Sequence, residues 1–355
     1  MKPSRIKNSL VRLGKILEKT ANTSPASGEK DPYLSAFLSV IKLVPEKNPW
    51  FTPEHLQTAF RYWANALTPG KISKWIDSYT LDRDFTPKTI GIVTAGNIPL
   101  VGLHDMLSVL VSGHKAVIKM SSQGNLLLPA IYKFLSAINP DWKNKVEFTD
   151  GNLTNIDAVI ATGSDNTARY FAYYFGKYPH IIRKNRNGIA VLTGRETEEE
   201  MEGLADDMML YFGLGCRNVS KIFIPEDYDL NRIFKSSLKY THYVNHRKYM
   251  NNFRYNKAVL LMSTDANQRN ALLENGLILL KKDHRYASPV GVIYYETYQR
   301  IEEVKKIIEH DRDKIQVVVT NTDLPGAVPF GKAQQPELWD YADGVDTVQF
   351  LLNLN

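Results

Sequence analysis

From residue 89 onward, short apolar runs alternate with amphipathic segments, and this alternation constrains the fold more than any other feature of the sequence. TIGIVTAGN (89–97) reads as a buried strand, HDMLSVLVS (104–112) as a helix, KAVIKM (115–120) as a strand and LLLPAIYKFLSAI (126–138) as a helix in spite of its proline. VEFTD (146–150), the strand IDAVIATGS (156–164) and the helix NTARYFAYYFGK (166–177) continue the series. After Arg183 come the strand GIAVLTG (188–194), a helix over ETEEEMEGLADDMMLYFG (196–213), a loop carrying Cys216 and the strand SKIFIP (220–225). Two helical stretches within 230–256, the apolar runs AVLLMS, LILLKK and VGVIYYE, the helix RIEEVKKIIEH (300–310) and the strand IQVVVT (315–320) complete a second α/β layer. Upstream of residue 89 the pattern is helical, over 1–17, up to Ile41, over Pro53–Ala66 and over Lys71–Tyr79, with the polar ANTSPASGEKDP as a linker. Strand–helix–strand repetition builds a parallel sheet whose ligands sit outside the strand carboxyl ends.

Composition narrows the function classes. A chain of 355 residues, 43% of them hydrophobic, buries a large core, and its length suggests two domains. Its single cysteine cannot form an intramolecular disulfide, which points to a reducing, cytoplasmic location. The basic, amphipathic start lacks the apolar region and cleavage site of a signal peptide, and no run approaches the roughly 20 apolar residues of a membrane span. The net charge of +6 is scattered singly, which argues against nucleic acid and suits a phosphate-bearing small ligand. G-x-G-x-x-G, the P-loop, H-E-x-x-H and paired C-x-x-C motifs are all missing. His104, His114, His242, His246 and His284 show no metal-ligand spacing and read as caps, surface or core residues, with His246 and His284 the two to consider near a cleft. YFAYYFGKY reads as a helix packed on the sheet, and the acidic run at 196–202 as a solvated helix start.

Four loops remain at strand ends: TAGNIP, IKMSS, ATGSDN and FGLGCRN. An isolated cysteine is usually a small buried hydrophobe. Cys216, however, follows Gly213 and Gly215, which let the backbone approach a substrate, and a preceding helix leaves the thiol at an element end. Arg217 would favour a thiolate if it faced the sulfur, or else points to solvent. Asn97 before Pro99 also reads as a turn residue, Lys119 as a solvated strand-end charge and the T-G-S of 162–164 as a helix cap.

Taken in order, these loops resemble the aldehyde dehydrogenase superfamily, and more closely the acyl-CoA reductase branch that includes the fatty-acid reductase of bacterial bioluminescence. The resemblance runs from about residue 89 to the closing WDYADGVDTVQFLLNL, with GNIPLVGLHDMLSVLVSGHKAVIKMSS and YFGLGCRNVSKIFIP as its longest matches. It implies a Rossmann-type cofactor domain without the usual glycine fingerprint, an α/β catalytic domain carrying the cysteine, and an active site in the cleft between them. The expected boundaries are 1–187 for the helices and cofactor domain, 188–334 for the catalytic domain, and 335–355 for a segment returning to the cofactor domain or to an oligomer interface.

The resemblance further implies Cys216 as nucleophile and the Asn97 amide, with the Cys216 N–H, as oxyanion donors. It implies Thr94, Lys119, Ser121, Ser122, Thr162, Gly163 and Ser164 as cofactor contacts, and no metal. Members preferring NAD often carry a glutamate where this chain has Ser122, so NADPH is the expected cofactor and NADH the alternative. Hydrolytic members have a general-base glutamate where this chain reads RKNRNGIAVLTG, without an acid. An acyl-cysteine would then accept hydride or a thiol, with CoA as the leaving group of the acyl-CoA or acyl-carrier substrate. Arg285 or Tyr286 stands where many members hold the nicotinamide ribose with a glutamate. An acyl-phosphate reductase of the same superfamily and a non-catalytic nucleotide-binding or scaffold protein are the alternatives, and a homo-oligomer is allowed.

Overall fold

The computed structural model describes residues 2–24, 30–81, 84–121, 126–163, 165–263 and 272–354. The chain divides into two compact units, Met1–Lys184 with Pro336–Asn355, and Asn185–Gln335.

The first unit opens with four helices, α1 (Pro3–Asn22), α2 (Pro32–Lys47), α3 (Pro53–Ala66) and α4 (Pro69–Ile76). Each has proline at its first position, where the missing N–H is no loss. In α1, Ile6, Leu10, Leu13 and Leu17 are fully buried and recur at helical spacing. β1 (Thr89–Val93), α5 (Leu103–Val111), β2 (Lys115–Lys119), α6 (Leu127–Ile138), β3 (Val146–Thr149), β4 (Ala158–Thr162), α7 (Asp165–Phe175) and β5 (His180–Arg183) follow. All five strands are parallel, in the order β3-β2-β1-β4-β5. That order reverses direction at β1 and β4, making the gap between their carboxyl ends the topological switch point of the sheet. Pro129 of α6 falls in the first turn, where a helix tolerates it. Phe171 and Phe175 of α7 pack toward the sheet beside Val159 and Ala161, whereas Tyr170, Tyr173 and Tyr174 are exposed, so only part of the aromatic run is packing.

The C-terminal segment is stitched into this unit. His104 Nε2 and His114 Nε2 lie 2.9 Å from the carbonyls of Leu338 and Leu351. Trp75 Nε1 donates to Tyr341 Oη at 2.7 Å, and Tyr79 Oη donates to Asp346 at 2.7 Å. A last helix, Thr347–Leu352, buries Thr347, Val348, Leu351 and Leu352.

The second unit contains β6 (Asn187–Val191), α8 (Glu198–Met209), β7 (Val219–Pro225), α9 (Asn231–Ser237), α10 (Arg247–Ser263), β8 (Leu272–Glu274), β9 (Leu279–Lys282), β10 (Val292–Tyr298), α11 (Ile301–His310) and β11 (Ile315–Val319). The sheet order is β11-β6-β7-β10-β9-β8, parallel except for β8. Ile189, Val191, Phe223, Val304, Ile315 and Val318 form a core between sheet and helix. AVLLMS is the C-terminal part of α10 and not a separate element. The strand β5 was not apparent in the sequence pattern. Among the described residues no helix is long and apolar enough to cross a membrane.

Candidate active site

The first unit gathers six of the expected residues along the carboxyl ends of β1, β2 and β4. Thr94 follows β1 and is buried; its N–H and hydroxyl both donate to the Lys119 carbonyl at the end of β2, at 3.3 and 3.4 Å. A Cβ on Gly96 would overlap Ser121 Oγ, so only glycine lets the two loops approach this closely. Asn48, capping α2, holds the same loop by donating to the Gly96 carbonyl at 3.3 Å. Asn97 is half-buried in this segment, followed by Leu100 and Gly102 with φ of 62° and 84°. Thr162 ends β4, and Gly163 lies two residues before the first residue of α7, Asp165, and against Thr167 and Phe171 of that helix. Ser122 and Ser164 lie outside the described residues.

The thiol belongs to the second unit, and its surroundings differ from the sequence expectation. The helix anticipated over 196–213 ends at Met209. Tyr211, Phe212 and Gly213 then take successive left-handed conformations, with φ of 57°, 59° and 71°. For the two non-glycine residues this costs roughly 1–3 kcal/mol each. Packing offsets it: Phe212 lies 4.2 Å, ring to ring, from both Tyr243 and His246 and 5.6 Å from Tyr249, and such aromatic pairs contribute about 0.5–1.5 kcal/mol each. The chain next makes a four-residue turn closed by Asn218 N–H donating to the Gly215 carbonyl at 3.0 Å. Cys216 and Arg217 are its central residues, and Cys216 is exposed.

The side chains around this turn are committed. Arg217 Nε donates to the Ala333 carbonyl at 2.5 Å and so does not point freely to solvent. Asn218 is buried; its Oδ1 accepts from Gly215 N–H at 2.8 Å and its Nδ2 donates to the carbonyls of Asp207 and Leu210, both at 3.0 Å. Asp207 accepts from the N–H groups of Gly331 and Ala333 at 2.6 and 2.9 Å. Burial, the larger effect, raises its carboxyl to about 7 against those two hydrogen bonds. Asp206 accepts from Lys239 and Tyr240, both at 2.8 Å.

Glu196 corrects the reading of the acidic run. Its side chain is fully buried and accepts from Thr193 N–H and hydroxyl and from Gly194 N–H, closing the turn after β6, while the capping box of Thr197 and Glu200 starts α8. Arg285 pairs with Asp283 at 2.7 Å, and Tyr286 Oη donates to Asp311 at 2.6 Å. His246 Nδ1 accepts from Tyr249 N–H at 3.1 Å, and the exposed His284 pairs with Glu296 at 2.9 Å. No group of three or more metal-ligating side chains occurs among the described residues. Asn218 and Asp207 escaped sequence reasoning. The one available signal was an asparagine two residues after the cysteine.

No family model matches the chain, and no curated protein matches it in sequence. Solved structures do match it. An oxidoreductase from Marinobacter aquaeolei aligns with a TM-score of 0.65 at 13% identity, over 95% of this chain and 79% of its own. The aldehyde dehydrogenase KauB from Pseudomonas aeruginosa aligns at 0.62 and 13%, over 94% and 75%. Indole-3-acetaldehyde dehydrogenase AldA from P. syringae, solved with NAD+ and IAA, aligns at 0.61 and 12%, over 92% and 73%. The fold is that of the aldehyde dehydrogenases. In this aldehyde dehydrogenase-like chain, a parallel switch-point sheet stands in the first unit without G-x-G-x-x-G, and the turn with the single cysteine stands in the second.

Proposed function

We propose that the chain is an NADPH-dependent acyl-CoA reductase that converts a fatty acyl thioester to an aldehyde through an acyl-cysteine. The observation that carries this reading is the exposed Cys216 at the apex of a turn beyond the end of α8, where the Asp207 carboxylate is occupied by the N–H groups of Gly331 and Ala333. With that carboxylate engaged, and with no acid in the stretch RKNRNGIAVLTG, acyl transfer and reduction are favoured over hydrolysis to a free acid.

In this reading the Cys216 thiolate attacks the thioester carbonyl, forming a C–S bond while the electron pair moves to oxygen. The Cys216 N–H, at the centre of the turn, serves as one oxyanion donor, as the resemblance implies. The Asn97 amide is the second donor that the resemblance implies. Collapse breaks the carbonyl–CoA bond, and CoA leaves as the thiol after taking up a proton. NADPH, when bound, supplies a hydride to the acyl carbon. Collapse of the resulting hemithioacetal oxyanion then returns the Cys216 thiolate and releases the aldehyde.

The residues at the switch point suit a dinucleotide. Lys119 is a half-buried cation at a strand end, the Gly96–Ser121 contact clears the backbone for close approach, and Gly163 precedes a helix N-terminus that favours a pyrophosphate. The preference for NADPH over NADH rests on Ser122 in place of an acid.

Intact-protein mass after incubation with acyl-CoA and no NADPH tests the reading. One hydroxylamine-sensitive acyl group is expected in the wild type and none in Cys216→Ala. Acylation persisting in that variant would place the nucleophile elsewhere, and acylation by an acyl phosphate but not by acyl-CoA would move the substrate to the phosphate class.

A further inference from the structure

Asn218, the residue before β7, touches the turn of Cys216 at more points than the geometry of the adjoining strand requires. Its backbone N–H closes the turn onto the Gly215 carbonyl at 3.0 Å, and its Oδ1 takes the Gly215 N–H at 2.8 Å, so both backbone polar groups of Gly215 are bound to one residue. Its own carbonyl accepts from Gly188 N–H at 3.1 Å, which ties the far side to β6. Its Nδ2 donates to the carbonyls of Asp207 and Leu210, two of the last-turn carbonyls that a helix end leaves without intrahelical partners. The side chain is 2% exposed, and a Cβ on Gly215 would come within 2.9 Å of Oδ1. The end of α8, the left-handed turn and the cysteine turn are therefore held in one register by a single carboxamide.

We propose that Asn218 is the positioning residue of the reaction, fixing the orientation of the Cys216 sulfur and N–H relative to the incoming thioester. The inference rests on the reading of Cys216 as nucleophile. Asn218 touches neither thiol nor substrate in this role; it acts by holding Gly215, and hence the peptide leading into Cys216, in place. An amide is the side chain that can do this, because the site asks for an acceptor toward Gly215 and a two-proton donor toward two carbonyls. An aspartate of the same shape would set a carboxylate oxygen against the Asp207 and Leu210 carbonyls.

The test compares two reactions of the same sulfur in wild type, Asn218→Ala, Asn218→Asp and Gly215→Ala: acylation by acyl-CoA, followed by intact mass, and alkylation by iodoacetamide, followed against pH. Alkylation reads thiolate content and access, whereas acylation also demands orientation of the oxyanion donors. The expected result is acylation slowed by ~10²-fold at saturating acyl-CoA, with the substrate concentration for half-maximal rate little moved. The alkylation rate and its pH midpoint should stay within about threefold and a few tenths of a unit. Gly215→Ala presses on the same contact from the other side and leaves the carbonyl bonds of Asn218 in place, so the comparison holds on a folded protein where Asn218→Ala does not fold. Parallel loss of both reactions in a variant with a wild-type unfolding transition, or acylation within about twofold of wild type, would overturn the inference. A wild type that acyl-CoA does not acylate would overturn the nucleophile reading as well.

Discussion

Arg183 at the end of β5 donates from its two terminal nitrogens to the two carboxylate oxygens of Asp105 in α5, at 2.7 and 2.9 Å. Both side chains are 8% exposed, and Arg183 also donates to Thr347 Oγ1 at 3.0 Å, so the pair ties the C-terminal helix to the edge of the first unit. Removing one partner leaves a buried charge uncompensated. Asp105→Ala should therefore lower the unfolding free energy of this unit by about 3–5 kcal/mol, and the apolar pair Asp105→Leu with Arg183→Met by clearly less. Urea unfolding of the three proteins checks this, and equal losses in single and double variants would contradict it.

Gly96→Ala should disorder the loop after β1, because its Cβ would occupy the place of Ser121 Oγ. A cost of roughly 1–3 kcal/mol is expected, as for other overpacked sites, together with weaker NADPH binding. Adding Ser121→Gly should restore the melting temperature most of the way. A double variant no better than the single one would mean that the clash is absorbed elsewhere.

Cofactor choice should follow the loop after β2. Lys119→Ala is expected to lower kcat/KM for NADPH more than for NADH, and Ser122→Glu to do the same by setting a charge against the 2′-phosphate. The ratio of the two values, taken at one ionic strength, is the measurement. A ratio unmoved by either substitution would place the 2′ end of the cofactor elsewhere.

Asn97→Ala should leave NADPH binding near wild type and slow acylation of Cys216 by ~10²-fold, the usual value of one preorganised oxyanion donor. Stopped-flow release of CoA reads the step directly. A rate within about twofold of wild type would reduce Asn97 to the turn role that its place before Pro99 also fits.

Asp207 sets a pH dependence of stability. Its folded carboxyl titrates at about 7, above the ordinary 3.8, so the folded state binds more protons than the unfolded state between these values. Its contribution is present in full at low pH and declines as pH rises through that window, levelling above about 7. Relative to Asp207→Asn, the wild type should therefore lose melting temperature between pH 4 and 7. A constant difference across that range would show that burial does not raise this carboxyl.

Much of the architecture was legible because its signals are local. The apolar runs that became β1, β2, β4, β6 and β7 and the amphipathic spacing of α1 and α11 depend only on neighbours a few residues away. AVLLMS illustrates the limit: six apolar residues have no period that separates strand from helix, and continuity with α10 decided it. HIIR is too short to register, and pairing with β4 makes it a strand.

The sequence by itself determined the parallel α/β alternation, the four strand-end loops and the position of the one thiol. Only the tertiary structure decided what those residues touch. Glu196 stands in an acidic run, yet it is the one buried among its neighbours, because Thr193 and Gly194 turn their N–H groups onto it. The α8 pattern runs to Gly213, yet the helix stops at Met209, because Tyr243, His246 and Tyr249 supply aromatic contacts that reward a left-handed Phe212. Asp207 holds Gly331, 124 residues away, and Asn218 reaches back across the cysteine turn to the end of α8. Periodicity records which face of an element is apolar, but partners distant in sequence meet only after the chain has packed, and they set the geometry around Cys216.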